Sequence, residues 1–369
     1  MRGTPERQRS MLVHLDMETQ VPADHPLRKI KALVDEGLAR LSPRFAAAYA
    51  ALGRPSIPPE HLLKALLLQT LYSIRSERQL VDQLNWNLLF RWFLDLEADA
   101  AIWDATTFTK NRDRFAAHGL VQAFFDGVVK QAVEAKLVSS DHFTVDATLI
   151  QALASLKSLV PREGPGPDRD DDPGNPSVNF RGEKRINQTH WSKTDPEAKL
   201  MRKGDGRETK LCHGASVLME NRHGLVVAVA VHEPFPSGEK AAVPGMVRHV
   251  RRRFGLRVRT TGADAGYADG KVLRAWERLG IVPHVAKVKP PADPAAPNAA
   301  ARARAVRRQH TLGYTISQRI RKEIEEVFGW GKTIGGMART RFVGRWRVAL
   351  QVLLIGSAYN LIRMAKCVT

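Results

Sequence analysis

The chain has 369 residues, 43% of them hydrophobic, enough for two domains or for one domain with a sizeable insertion. Its formal net charge of +19 points to a polyanionic partner, nucleic acid before any other. With two cysteines, Cys212 and Cys367, it supports neither a disulfide framework nor a cysteine zinc site, and it suits a reducing compartment.

The N-terminal segment MRGTPERQRSMLVHL has no long apolar run and no cleavage-site pattern, so no secretory signal is expected. Residues from about 25 to 135 read as helices. Pro58 and Pro59 open a nearly all-round apolar helix that runs to Leu71. Ser76 begins SERQLVDQL, whose Ser-x-x-Gln pattern is that of a capping box. The polar segment DATTFTKNRDRF, Asp104 to Phe115, carries Lys110, Arg112 and Arg114. It suits the second helix of a helix-turn-helix that touches DNA, and equally a solvated helix of a bundle. Leu62–Leu71 is broken by Lys64 and Gln69, and Val348–Ala358 is too short to span a bilayer. No membrane association is expected, and the cytoplasm, beside the nucleoid, is the expected location.

FTVDATLI, Phe143 to Ile150, alternates and is β-branched, so it reads as a strand. Residues 161–205 hold glycines, prolines, charge runs and the acidic tract Asp168–Asp172, and read as a long flexible insertion. Strands are then expected at Ala215–Met219 and Leu225–His232, with the turn Asn221–Gly224 between them. A helix over Lys240–Phe254 ends in the basic run Arg251, Arg252, Arg253. Further on come a strand at Val258–Ala263, a helix at Gly270–Leu279 and a strand at Ile281–Val288. Residues 290–310 read as loose and basic, and an apolar helix closes the chain. This order predicts an α/β protein, a mixed sheet covered by helices and preceded by a helical N-terminal domain. The expected boundary lies between residues 138 and 139.

Three carboxylates stand out. Asp264 lies just past its strand, where open α/β sheets place ligand sites, and Asp146 lies within the first strand. Glu325 falls in SQRIRKEIEEVFGWGK, spaced as Gln318-x2-Arg321-x3-Glu325-x6-Lys332. At about 100° per residue these four side chains share a helix stripe roughly 60° wide. Ile316, Ile320, Ile324 and Val327 gather on the opposite, core-seeking face. Three carboxylates of this kind can hold two divalent ions roughly 4 Å apart, one activating a water or 3′-hydroxyl and the other stabilising the leaving oxygen. Magnesium suits them, because it prefers carboxylate and phosphate oxygens.

VDATLIQALASLKS, ADAGYADG and the Gln318–Lys332 run together resemble bacterial insertion-sequence transposases of the DDE class, over most of the chain. The resemblance implies a ribonuclease-H-like catalytic domain over 139–369, with Asp146, Asp264 and Glu325 as catalytic metal ligands. It implies two magnesium ions per site, with manganese as a substitute. The activity implied is binding of terminal inverted repeats, cleavage there and joining to target DNA, by a homodimer on paired ends. The family's glutamate motif is Tyr-x2-Arg-x3-Glu-x6-Lys; Arg321, Glu325 and Lys332 match, and Gln318 stands where tyrosine is usual. Arg321 and Lys332 would contact the DNA end near the cleaved phosphate. Arg251, Arg252, Lys110 and Arg112 are the further candidates for DNA contact. His213 and His223 read as surface or core histidines rather than metal ligands, and Trp330 and Trp346 suit core packing or base stacking.

Overall fold

Prolines and polar caps start the helices that open the chain. In a computed structural model describing residues 16–50, 52–53, 55–162, 179–180, 183–202 and 207–367, this part forms α1 (Met17–Gln20), α2 (Pro26–Ala48), α3 (Pro59–Leu71), α4 (Glu77–Trp86), α5 (Leu88–Phe93), α6 (Thr106–Ala117) and α7 (Leu120–Glu134). Pro26 and Pro59 take first-turn positions, where no amide is needed for the helix ladder. Ser76 caps α4, its hydroxyl accepting from the Gln79 amide at 3.1 Å. Along α2, Leu27, Ile30, Val34, Leu38, Leu41 and Phe45 recur at helical spacing, and all are buried. The one lysine of α3, Lys64, is buried too and is paired with Asp35 and Asp95. A helix-turn-helix of α4 and α6 does not form, because α5 and the 94–105 loop come between them.

The strands are β1 (His142–Gln151), β2 (Leu159–Pro161), β3 (Asn179–Phe180), β4 (Glu183–Lys184), β5 (His190–Ser192), β6 (Lys199–Met201), β7 (Lys210–Glu220), β8 (Leu225–His232), β9 (Thr260–Ala263) and β10 (Val282–Val285). Between and after them lie α8 (Pro236–Phe254), α9 (Gly270–Arg278), α10 (Ala299–Arg308), α11 (Leu312–Ile320), α12 (Ile324–Thr333) and α13 (Arg345–Cys367). In the main sheet β1 is central, antiparallel to β7 and parallel to β9, with β10 parallel beyond β9. The far edge of β7 carries two antiparallel strands end to end, β6 against Lys210–Cys212 and β8 against Gly214–Glu220. Three strands that meander antiparallel, then two that cross over in parallel, make the expected ribonuclease-H-like mixed sheet. The long β7 is buried from Leu211 to Glu220, as a strand covered on both faces must be.

Several expectations need correction. Residues 299–308, read as loose, form α10, because AAARARAVRR is built from strong helix formers. The glutamate-bearing helix is not one regular helix: a 3-10 turn over Arg321–Glu323 separates α11 from α12. Three residues advancing by about 120° instead of 100° rotate the two halves by roughly 60°. Hence Ile324 and Val327 face the core while Ile316 is 47% exposed, and Ser317 is buried in its place. Of the stretch 161–205, residues 163–178, 181–182 and 203–205 lie outside the described residues. Its remainder includes β5, paired with β2, and β6, paired with β7; Leu200 packs with Leu159 and Leu211 in a small second core. Val348–Ala358 belongs to a 23-residue helix long and apolar enough to cross a membrane, but 67% of its apolar window is buried inside the protein.

That helix, α13, joins the two halves of the chain. Its Gly356 sits where an added Cβ would come within 3.0 Å of Phe125 on α7 and 3.7 Å of Val226 on β8. Asn360 continues the contact: its amide oxygen accepts from the Val226 amide at 2.8 Å and its nitrogen donates to the Val226 carbonyl at 2.7 Å. One apolar core therefore runs from α2 through α7 and α13 into the sheet.

Candidate active site

Asp146 and Asp264 are set side by side by strand register. Thr144 on β1 stands opposite Gly262 on the parallel strand β9. Two residues further along each chain the side chains return to the same face, so Asp146 and Asp264 share a level across strands about 4.8 Å apart. Asp146 is partly buried within its strand, and the Ala147 amide donates to it at 2.8 Å. Asp264 opens the turn after β9, where it accepts from the Gly266 amide at 2.8 Å. It therefore caps a turn as well as facing Asp146.

The segment from α11 to α12 lies over this same face. A Cβ on Gly262 would come within 3.0 Å of the Ser317 hydroxyl and 3.5 Å of the Arg321 Cβ. Gln318 locks the segment down: its amide nitrogen donates to the carbonyl of His284 on β10 and, at 3.5 Å, to that of Ala263 on β9, while its oxygen accepts from Arg321 Nε at 3.2 Å. The glutamine that replaces tyrosine in the motif thus orients Arg321 above the strand ends. Glu325, one turn on, and Lys332, two further turns on, line a cleft of about 630 Å3 together with Asp146, Glu239 and His232. Asp264 does not line this cleft and reaches it through Asp146. Glu326 points elsewhere and pairs with Arg363 on α13 at 3.1 Å.

The cluster is electrostatically loaded. Burial pushes the Asp146 carboxyl up; the Ala147 amide and Arg321 oppose this, and the charges of Asp264 and Glu325 add to it. Glu239, from the first turn of α8, was not anticipated from the sequence. Its carboxyl is also raised, first by burial and then by Asp264 and Asp146. Beside it the Tyr267 hydroxyl is fully buried and pushed well above its ordinary value, by burial and by Glu239. The two groups are neighbours, but the Tyr267 hydroxyl meets no partner at ordinary hydrogen-bond geometry. A signal for Glu239 was present in the chain: Pro234-Phe-Pro236 stops β8 and starts a helix, and Glu239 falls in its first turn.

The remaining candidates lie apart. Arg251 is twelve residues beyond Glu239 on α8, roughly 18 Å along the axis, and donates to the Leu279 carbonyl at 2.6 Å. Arg252 is exposed at that same end. Lys110 is exposed on α6, whereas Arg112 turns inward, pairs with Glu77 and lies 4.5 Å over the Phe342 ring. His213 holds Asp195 at 3.0 Å in full burial, and His223 contacts the Leu137 carbonyl at 2.7 Å. Trp330 packs on Tyr359 with ring centroids 5.7 Å apart, while Trp346 is 41% exposed.

Among the described residues no three His, Cys, Asp or Glu side chains enclose a common point tightly enough to hold a metal ion. Magnesium does not demand such a cage, since it keeps several waters and takes one or two protein carboxylates. The donor set fits it: hard carboxylate oxygens, and a partly buried Asp146 whose nearest charged neighbours include two other carboxylates. A divalent cation would cancel that repulsion.

Two family models match the chain: Transposase domain (DUF772) over residues 15–114 and Transposase DDE domain over residues 140–361. Two solved structures are similar to it at 12% sequence identity, each over 89% of this chain and 86% of the other. One is a Mos1 transposase paired-end complex with left transposon end, with a TM-score of 0.21, and the other a pre-cleavage Mos1 transpososome, with a TM-score of 0.20.

Proposed function

The chain belongs to the DDE transposase family, whose members are polynucleotidyl transferases working with divalent metal ions, and we propose that it cleaves and joins the ends of an insertion sequence. In this reading it binds terminal inverted repeats, hydrolyses a phosphodiester bond at each end and transfers the freed 3′-hydroxyl to target DNA. The observation that carries the reading is the shared level of Asp146 and Asp264 on parallel strands, with Glu325 brought over the same face.

Asp146, Asp264 and Glu325 would hold the metal, two ions in the full reading, magnesium or manganese. When bound it supplies Lewis-acid stabilisation of the attacking and leaving oxygens. The residues of the chain do the rest. Gln318 fixes the direction of the Arg321 guanidinium, which suits a phosphate oxygen of the DNA end. Lys332, on the wall of the cleft, adds a second cation for the same strand. Glu239 adds negative charge beside Asp146 and so favours a bound cation. Two ends must meet in one event, so the working form is a dimer on paired ends, in the cytoplasm beside the DNA it moves.

The test is a donor plasmid carrying both ends of the element, incubated with the protein and magnesium. End cleavage and strand transfer that vanish in EDTA are expected. Cleavage without joining would make the protein a metal-dependent nuclease, and DNA binding with neither step would make it a silent element-derived binder.

A further inference from the structure

A second cavity, of about 640 Å3, opens where the N-terminal helices meet the end of the chain. One wall comes from α3, the turn before α4, and α6; the other comes from residues 333–347 and α13. Four arginines line it, Arg75 and Arg112 from the first wall and Arg341 and Arg347 from the second, against a single carboxylate, Glu77. Glu77 is taken by Arg112. Arg347 reaches an exposed Asp113 at 3.5 Å and lies 4.4 Å over the Trp346 ring. Arg341 donates to the Ile74 carbonyl at 3.0 Å, a neutral partner that leaves its charge uncancelled.

Guanidinium groups stay charged at any physiological pH, so cations gathered on partly apolar walls leave an unbalanced positive potential. Burial works against the charge of Arg112, and Arg347 adds to that; burial alone does the same for Arg341. What such a cavity lacks is an anion with several acceptor oxygens in reach of planar donors, which is the description of a phosphate. Its position narrows the source. Lys332 lines the catalytic cleft and the next residues, Thr333 to Gly336, line this cavity, so a strand leaving the carboxylates passes from one to the other.

We propose that this arginine-lined cavity is a phosphate-binding site that takes the DNA backbone flanking the reacting phosphodiester, clamping the N-terminal helices to α13. It rests on the DNA-acting reading only for the source of the phosphate; the carboxylates play no part in it. A free pyrophosphate or nucleotide shares the same chemistry and is the rival source.

The experiment uses the full chain and phenylglyoxal, which modifies arginine, with the modified residues mapped by mass spectrometry. Labelled duplex DNA should shield Arg75 and Arg341, both of which are exposed in the free protein. In parallel, Arg75→Gln combined with Arg341→Gln should flatten the dependence of log K on log salt by about one per lost phosphate contact, so by roughly two. Asp146→Asn should keep the wild-type slope, so a failed catalytic reading would show separately. Shielding by pyrophosphate but not by duplex would overturn DNA as the occupant. An unshielded Arg75 and Arg341 with an unchanged salt slope would overturn the site altogether.

Discussion

At the scale of single residues, the neighbours Glu325 and Glu326 divide the roles. Glu325 lines the candidate catalytic cleft, whereas Glu326 is drawn to Arg363 on α13. Glu325→Gln keeps shape and removes charge, so cleavage and joining should fall by roughly 10²–10³-fold or more while end binding stays near wild type. Glu326→Gln should retain most activity. The reverse pattern in a cleavage assay would move the third carboxylate to the wrong register. Asp146 gives a test without substrate. Its charge is disfavoured by burial and by Asp264 and Glu325, so the metal-free fold is working against it. Asp146→Asn should therefore raise the melting temperature in EDTA by roughly 1–3 °C, and magnesium should narrow that gap by stabilising only the wild type. A lower melting temperature in EDTA would show that Asp146 is held by partners instead. These three candidate acids stand out in the sequence for different reasons: Asp264 lies just past its strand, Asp146 lies within the VDATLI strand, and Glu325 falls on a motif spacing. For Glu239 the local signal, Pro234-Phe-Pro236, marks a helix start but not the cleft that its first turn faces, whose other walls come from distant parts of the chain, Asp146–Leu149 and Glu325–Lys332.

At the scale of elements, local composition and long-range partners pull differently. In the sequence, residues 290–310 read as loose and basic. In the fold Glu277 on α9 receives Arg304 at 2.5 Å and Arg308 at 2.9 Å, and the alanines Ala301 and Ala305 pack inward. Burial alone would raise the Glu277 carboxyl; the hydrogen bonds and charges of the two arginines outweigh it and hold it below the ordinary value. Glu277→Gln should cost about 1 kcal/mol, as part of the network is exposed. A depressed carboxylate contributes stability above its unfolded pKa of about 4.3 and loses it as pH falls through the lower folded value. The difference in melting temperature between variant and wild type should therefore be constant near neutrality and close below roughly pH 4. A difference that persists in acid would mean that shape, not charge, holds α10. The 3-10 turn at Arg321–Glu323 has no local signal, since its residues are good helix formers; it follows Gln318, whose side chain is tied to two strand ends.

At the scale of the whole molecule, the division at residue 139 marks a change of local structure but not of core. Hydrophobic periodicity reports which face of an element is buried and not against what, so a helical half followed by a sheet half reads as two domains. Phe124, Phe125 and Val128 of α7 are buried in the same core as Val226 of β8 and Val348, Val352 and Ile355 of α13. Cutting the chain before Ser139 would leave that face of α13 open to water, together with the face of β8 beneath it. Each fully buried Val, Leu or Phe side chain so exposed forfeits about 1.5–3 kcal/mol, and only a few are needed to exceed the 5–15 kcal/mol that hold a typical fold. Tryptophans report on both halves, Trp92 and Trp103 on the helices and Trp276 and Trp330 on the sheet side. Urea unfolding of the intact chain followed by tryptophan fluorescence and by far-ultraviolet circular dichroism should therefore give one coincident transition. A fragment from Ser139 onward should lack a cooperative transition. Two separated transitions in the intact chain, or a fragment that unfolds cooperatively, would establish two independent domains with their boundary between residues 138 and 139.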